Sequence, residues 1–311
     1  MKLAVLYAGQ GSQHPGMGAE FYEASPVFRE IYDTAPVDFD LKTTCLSDPE
    51  GRLGQTEYTQ PCMVAFAAGV TALLRAAGVA PAYTAGLSLG EYSALHCAGV
   101  FDGETVVSLA AFRGRAMAEA SRGIDSAMTA VLGLDGETIA ACCREAAGLG
   151  VAEVCNFNCP GQIVIGGQRD AVGEAARLCM ERGAKRCLPL KVSGPFHTSL
   201  LAGAGLALDK KLAETAFGTM EIPVLFNRLG DVMGPEDTVR RLLVEQVSHP
   251  VRMEETLRRL SDRGVDTVVE VGPGKALTGF VRKTCPEMRC YPVETPGQLE
   301  TFLTAWRGAQ A

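Results

Sequence analysis

The sequence predicts an α/β protein of two unequal domains, a larger one around a mainly parallel sheet and a smaller one inserted into it. Three observations carry this expectation. The chain opens on a short apolar run, LAVLYAG at 3–9, that stops at glycine as a buried strand does. The stretch AYTAGLSLGEYSALHCAGV at 82–100 passes from an extended segment through two glycines into an apolar helical run. From about residue 126 the pattern changes to short alternating strand and helix units.

Taken in order, the first strand is followed by a turn and by a helix over 60–78, with apolar or small residues at helical spacing and a stop at Gly78. The 82–100 segment reads as strand, sharp turn and helix, with Ser88 at the turn. AMTAVLGL, ETIAACCREAAGL, AEVCNFN, QIVIGG, AVGEAARLCMERG and KRCLPLKV then give the order βαββαβ, the ferredoxin-like arrangement. The insert is therefore expected at 126–192, and the larger domain at 1–125 and 193–311. In that second part helices are expected around 199–216 and 236–262, and a strand in DTVVEVGPG at 266–274. No internal repeat or low-complexity tract calls for a third module.

With 311 residues, 47% hydrophobic and 21% charged, the chain is able to bury a full core. Its first apolar stretch, about seven residues, is shorter than a secretory hydrophobic region, and nothing reaches the roughly 18 apolar residues of a membrane span. The expectation is a soluble cytoplasmic protein. Eleven cysteines without paired CxxC spacing fit buried thiols in a reducing compartment. Cys155 and Cys159 lack a second ligand pair, so no metal site is expected. A net charge of −7 argues against nucleic acid as a partner. Lys185, Arg186 and Lys191 offer a modest basic patch for an acidic protein, or simply a solvated face.

GLSLG at 86–90 matches GxSxG, in which a serine stands on a strained strand-to-helix turn and the first amides of the helix face a developing oxyanion. A serine hydroxyl needs a base, and the chain has four histidines. His96 lies about two helical turns, roughly 12 Å, from Ser88 and reads as a packed residue. His14 and His249 default to the surface. His197, in the SGPFHTS turn at the expected return from the insert, is the best base. An α/β-hydrolase would place an acidic residue between nucleophile and histidine, and no compelling one is found there; a main-chain carbonyl is the other way to orient the ring. GQGSQ at 9–13 is able to cradle a phosphate, supply oxyanion donors through amides and Gln10, or serve as a tight turn; it is neither a Walker A loop nor a GxGxxG fingerprint. Arg113 falls on a small, apolar helical face, where a guanidinium calls for a carboxylate from substrate or protein.

Together GQGSQ at 9–13, YTQP at 58–61, GLSLGEYSAL at 86–95, RG at 113–114, NFNCPGQIVIGG at 156–167, GPFH at 194–197 and EVGPGKALTG at 270–279 resemble, in order and almost end to end, the malonyl-CoA:acyl-carrier-protein transacylase family. The resemblance implies an α/β hydrolase-like larger domain. It also implies an acylated nucleophile at Ser88, a general base at His197 and an oxyanion hole from the amides of Leu89 and Gln10. Arg113 would pair with the malonyl carboxylate, and the main-chain carbonyl of Gln246 would orient the histidine. Gln60 and Asn158 would line the pocket, with Phe196 beside the histidine narrowing it. No cofactor is implied; malonyl-CoA and the phosphopantetheine arm of an acyl carrier protein are the substrates, and a monomer working in fatty acid biosynthesis is expected. A polyketide-pathway acyltransferase, a GxSxG thioesterase or hydrolase, and an inactive carrier-binding module are the competing readings. The chain departs from the family pattern at Leu87, in place of histidine, at Ala8, in place of proline, and at Ser126, in place of glycine.

Overall fold

Five consecutive apolar or aromatic residues, Leu3–Tyr7, form β1 and are buried without a break, the pattern of a strand covered on both faces. Short helices α1 (Ala19–Ala24), α2 (Pro26–Asp33) and α3 (Leu41–Leu46) follow. α2 starts cleanly because the Ser25 side chain accepts the Phe28 N–H and Pro26 stands in the first turn. The long α4 (Thr56–Ala76) comes next, then β2 (Tyr83–Gly86), α5 (Gly90–Cys97) and α6 (Gly103–Ser121). The sequence places the start of α4 at residue 60; the helix begins four residues earlier and holds Pro61, buried, in its interior.

The next six elements are β3 (Ser126–Leu132), α7 (Gly136–Glu145), β4 (Ala152–Cys159), β5 (Gln162–Gln168), α8 (Arg169–Glu181) and β6 (Arg186–Pro189). After these come α9 (Ala202–Ala213), β7 (Val224–Leu225), α10 (Val239–Gln246), β8 (Val251–Arg252) and α11 (Met253–Asp262). The chain closes with β9 (Thr267–Val271), α12 (Ala276–Thr284), β10 (Arg289–Val293) and α13 (Pro296–Gln310). The computed structural model describes residues 1–310.

Two units arise from these elements, one from residues 1–114, 216–226 and 257 onward, the other from 115–215 and 227–256. The first is built on a sheet in the order β10-β9-β1-β2-β7, parallel at every pairing. Parallel pairing aligns the C-terminal ends of its strands, and the loops leaving those ends carry GQGSQ, Ser88 and the GPGK turn. Phe21, Phe28 and Phe66, from α1, α2 and α4, pack together with ring centroids 5.2–6.0 Å apart, the first two stacked and Phe66 edge-on to both.

The second unit holds the sheet β6-β3-β5-β4-β8. Its first four strands pair antiparallel in the ferredoxin-like order, and β8 extends it by pairing parallel with β4. The core under this sheet joins Val131, Ile139, Ile163, Ile165 and Val172 to the thiols of Cys142, Cys143 and Cys179. All eleven cysteines are free thiols and nine are buried.

The expected helix over 236–262 is divided into α10, β8 and α11. Pro250 supplies no N–H and disfavours helical backbone at His249, so the helix ends at Gln246 and Val251–Arg252 join the sheet instead. The expected strand over 185–192 is shorter, Arg186–Pro189, with one further contact to β3 from the Leu190 N–H, which donates to Met128 O at 2.9 Å. No helix among the described residues is long and apolar enough to cross a membrane, and no group of three or more His, Cys, Asp or Glu is placed to hold a metal.

Candidate active site

Ser88 stands between the end of β2 and the start of α5 with φ +52°, a left-handed conformation that costs a serine energy and lifts its side chain out of the chain's path. Both motif glycines are sterically required. A Cβ on Gly86 would lie 2.0 Å from the Gly90 carbonyl carbon, and one on Gly90 would lie 2.2 Å from the Tyr7 carbonyl oxygen. Gly9 faces the same constraint from the other loop, its Cβ position being 2.5 Å from the Leu87 carbonyl oxygen. The turn is fixed by the Leu87 N–H donating to Tyr7 O at 3.0 Å and the Glu91 N–H donating to Ser88 O at 3.1 Å. Leu89 caps α5, so its amide belongs to the positive end of that helix.

Arg113, on α6, is buried, with 1% of its surface exposed. Its Nη2 donates to Ser88 Oγ at 3.3 Å and its Nη1 to Gln60 Oε1 at 2.8 Å. Gln60 Nε2 donates to Thr56 Oγ1 at 2.9 Å, and Thr56 Oγ1 donates to Gln10 Oε1 at 2.8 Å. One continuous chain of side chains thus connects the GQGSQ loop, α4, α6 and the serine. Burial pushes the guanidinium below its ordinary range, opposed by Tyr92 and by the charge of Glu91. An arginine remains protonated under such a shift. Tyr92, one turn after Ser88, lies under the guanidinium with 5.5 Å from ring centroid to Cζ, and burial pushes its phenol up to about 12 against the opposing charge of Arg113. The Tyr92 hydroxyl is buried with no hydrogen-bond partner among the described residues.

In the other unit His197 also has a left-handed backbone, φ +62°. Its Nδ1 lies 2.8 Å from the main-chain carbonyl of Gln246, and its own N–H donates to Val247 O at 3.1 Å. These carbonyls belong to the last turn of α10, where no following turn of helix supplies donors. The contact sets the tautomer: Nδ1 carries the proton, and Nε2 is the basic nitrogen of the neutral ring. The negative end of α10 also favours the imidazolium formed when Nε2 takes a proton. Phe196 and Asn158 belong to this unit, 8% and 7% exposed, and the Asn158 Oδ1 is buried without a hydrogen-bond partner.

The expected site residues therefore form two sets. Gln10, Gln60, Ser88, Leu89 and Arg113 fall in the unit of the parallel sheet, and Asn158, Phe196, His197 and Gln246 in the other. The remaining histidines are occupied elsewhere. Buried His96 has Nδ1 2.9 Å from Phe101 O and is held below its ordinary range by desolvation. His249 has Nδ1 2.8 Å from Glu245 O. His14 pairs through Nε2 with Glu294 at 2.5 Å, which raises the histidine, while the Glu294 carboxylate is lowered and also accepts the Gly274 N–H.

Residues 5–305 match the family described as the acyl transferase domain. The chain belongs to the acyl transferase family. It is 38% identical to a malonyl CoA-acyl carrier protein transacylase of Bacillus subtilis over 306 residues, covering 97% of this chain and 96% of that protein. The Escherichia coli protein of the same name is 37% identical over 305 residues, with 97% and 99% covered. Among solved structures, the transacylase of Streptococcus pneumoniae aligns with TM-score 0.92 and 42% identity over 98% of this chain and all of its own. A malonyl-transacylase in complex with a type II polyketide synthase acyl-carrier protein aligns with TM-score 0.94 and 36% identity, covering 98% and 100%.

For this acyltransferase the residues that sequence reasoning passed over are Thr56 and Tyr92. Thr56 lies two positions before the YTQP motif and reads as an ordinary helix start. Tyr92 sits inside GLSLGEYSAL, and its place four residues after Ser88, one helical turn on, is the signal that was available.

Proposed function

We propose that this acyltransferase carries a malonyl group from coenzyme A to the phosphopantetheine thiol of an acyl carrier protein, by way of a malonyl ester on Ser88, in fatty acid biosynthesis. The observation that carries the reading is the buried Arg113 guanidinium with Nη2 3.3 Å from Ser88 Oγ. A cation held at the nucleophile suits an acyl group whose far end is a carboxylate, and an uncharged acyl chain has nothing to offer it. The names of the relatives point to the same donor and acceptor.

In the first half-reaction Ser88 Oγ attacks the thioester carbonyl while His197 Nε2 takes its proton. The oxyanion is held by the amides of Leu89 and Gln10, the C–S bond breaks, and the proton leaves on the coenzyme A sulfur. In the second, the carrier thiol gives its proton to His197 and attacks the ester, and Oγ leaves with that proton. The Gln246 carbonyl keeps the histidine in the required tautomer throughout. Gln60, Asn158 and Phe196 bound the acyl site. The reading requires Ser88 Oγ and His197 Nε2 to come within proton-transfer distance, and a monomer is the assembly proposed. A thioesterase is the weaker reading, because the Nδ1 partner is a main-chain carbonyl where hydrolases with this serine motif carry a carboxylate.

The test is intact mass after brief mixing with malonyl-CoA. The expected increment of about 86 Da, a malonyl ester on a catalytic serine, appears in the unaltered protein, is absent from Ser88→Ala, and is transferred when a phosphopantetheinylated carrier is added. Rapid loss of the increment to water without carrier would favour the hydrolase. Arg113→Ala is expected to lower malonyl loading about 100-fold and acetyl loading far less; an unchanged ratio removes the assigned role of Arg113.

A further inference from the structure

We infer that Thr56 is a positioning residue for this reaction, its one hydroxyl proton setting the direction of the hydrogen-bond chain from Gln10 through Gln60 to Arg113. The inference rests on the roles proposed above for Gln10 and Arg113. A threonine hydroxyl has a single proton. Thr56 gives it to Gln10 Oε1 at 2.8 Å, so toward Gln60 it acts only as acceptor, and the Gln60 amide presents Nε2 to it at 2.9 Å. That orientation turns Gln60 Oε1 to Arg113, which donates from Nη1 at 2.8 Å. A guanidinium accepts no hydrogen bond, so a rotated Gln60 amide would set donor against donor inside the protein. Thr56, Gln60 and Arg113 are 3%, 0% and 1% exposed, leaving little room for water to repair the mismatch.

The backbone supports the same assignment. A Cβ on Gly114 would lie 2.7 Å from the Thr56 carbonyl oxygen and 2.9 Å from Glu57 Cα. The residue after Arg113 is therefore the one that lets α6 close on the first turn of α4, which fixes Thr56 relative to the arginine. Thr56 thereby joins the loop assigned to the oxyanion with the cation assigned to the carboxylate. Its hydroxyl acts through those groups rather than on the substrate.

The experiment measures kcat/KM for malonyl-CoA and acetyl-CoA, with Tm, in Thr56→Val and Thr56→Ser. Valine keeps the shape and removes the proton; serine keeps both hydrogen bonds. The expected result is a 10- to 100-fold fall for malonyl in Thr56→Val, roughly what a misplaced binding group costs, a smaller fall for acetyl, and recovery to within about threefold in Thr56→Ser. A structural role alone would lower Tm without moving the malonyl-to-acetyl ratio. If Thr56→Val does not fold, Thr56→Ala is measured in its place, and if neither folds while serine does, the hydroxyl serves the fold and the inference is overturned. It is equally overturned if the folded variant keeps both the rate and the ratio. Failure of the unaltered protein to form an ester on Ser88 is a separate result, and it overturns the reading of the site itself.

Discussion

Ser88 and His197 have the same unusual backbone, a left-handed conformation in a residue other than glycine, and they are held in it by different means. Around Ser88 the means are steric: three glycines, Gly9, Gly86 and Gly90, leave out side chains that would collide with main chain at 2.0–2.5 Å. Around His197 they are polar, two carbonyls at the end of α10 gripping the ring and the amide. A nucleophile has to be exposed and addressed by helix amides, and strand, turn and helix achieve that within five residues. A base has to be oriented and kept in one tautomer, which needs an acceptor of fixed position that any residue's main chain is able to supply.

The contrast is sharpest when each side chain is removed. Ser88→Ala is expected to abolish acyl-enzyme formation. His197→Ala should slow loading by about 10³- to 10⁴-fold, the scale of losing a general base that acts with a nucleophile. If His197→Ala loads at more than a tenth of the normal rate in a stopped assay, the base lies elsewhere.

Next in size is the steric support. Gly90→Ala puts a methyl 2.2 Å from the Tyr7 carbonyl oxygen, and forcing β1 and α5 apart should destabilise by about 3 kcal/mol, read as a fall in Tm with loss of loading. A stable, active variant would mean that the elbow has slack that its contacts do not suggest.

The polar support should behave in the opposite way. Because the group that meets His197 is the carbonyl of Gln246, Gln246→Leu leaves it in place, and kcat is expected to change by less than about fivefold. Tm should fall more clearly, since the side chain is buried. A hundredfold loss of kcat at unchanged Tm would assign the function to the amide side chain.

The smallest effect concerns the loop that carries Gln10. His14 is raised by Glu294 and Glu294 is lowered by His14 after the opposing effect of its own burial. The histidine's contribution is present below its unfolded value, near 6.5, and is lost as pH rises through its higher folded value. That of Glu294 is present above 4.5 and is lost as pH falls through its lower folded value. The pair therefore adds most between the two, and since His14 is half exposed its worth is below about 1 kcal/mol. The Tm difference between the unaltered protein and His14→Asn should be greatest between about pH 4.5 and 6.5 and shrink on either side; a flat difference removes the pair from the account.

Much of the molecule was legible where signals are local. The buried β1, the turn at Ser88 and the βαββαβ series follow from apolar period and glycine demand over a few residues, and each appears where the pattern puts it. The 236–262 segment was not, because its apolar spacing fits a helix throughout and only Pro250 marks the break that ends α10 at the carbonyls facing His197.

The sequence alone determined the family and the two sheets and singled out the candidate reactive side chains, because strand period, glycine sterics and ordered motifs are written in neighbouring residues. Tertiary structure decided which hydroxyl joins Gln10 to Gln60, and it alone brings to the imidazole the Gln246 carbonyl that the family resemblance implied. The Gln10–Thr56, His197–Gln246 and Gln60–Arg113 contacts span 46, 49 and 53 positions. Main-chain carbonyls are common to every residue, so only packing selects among them.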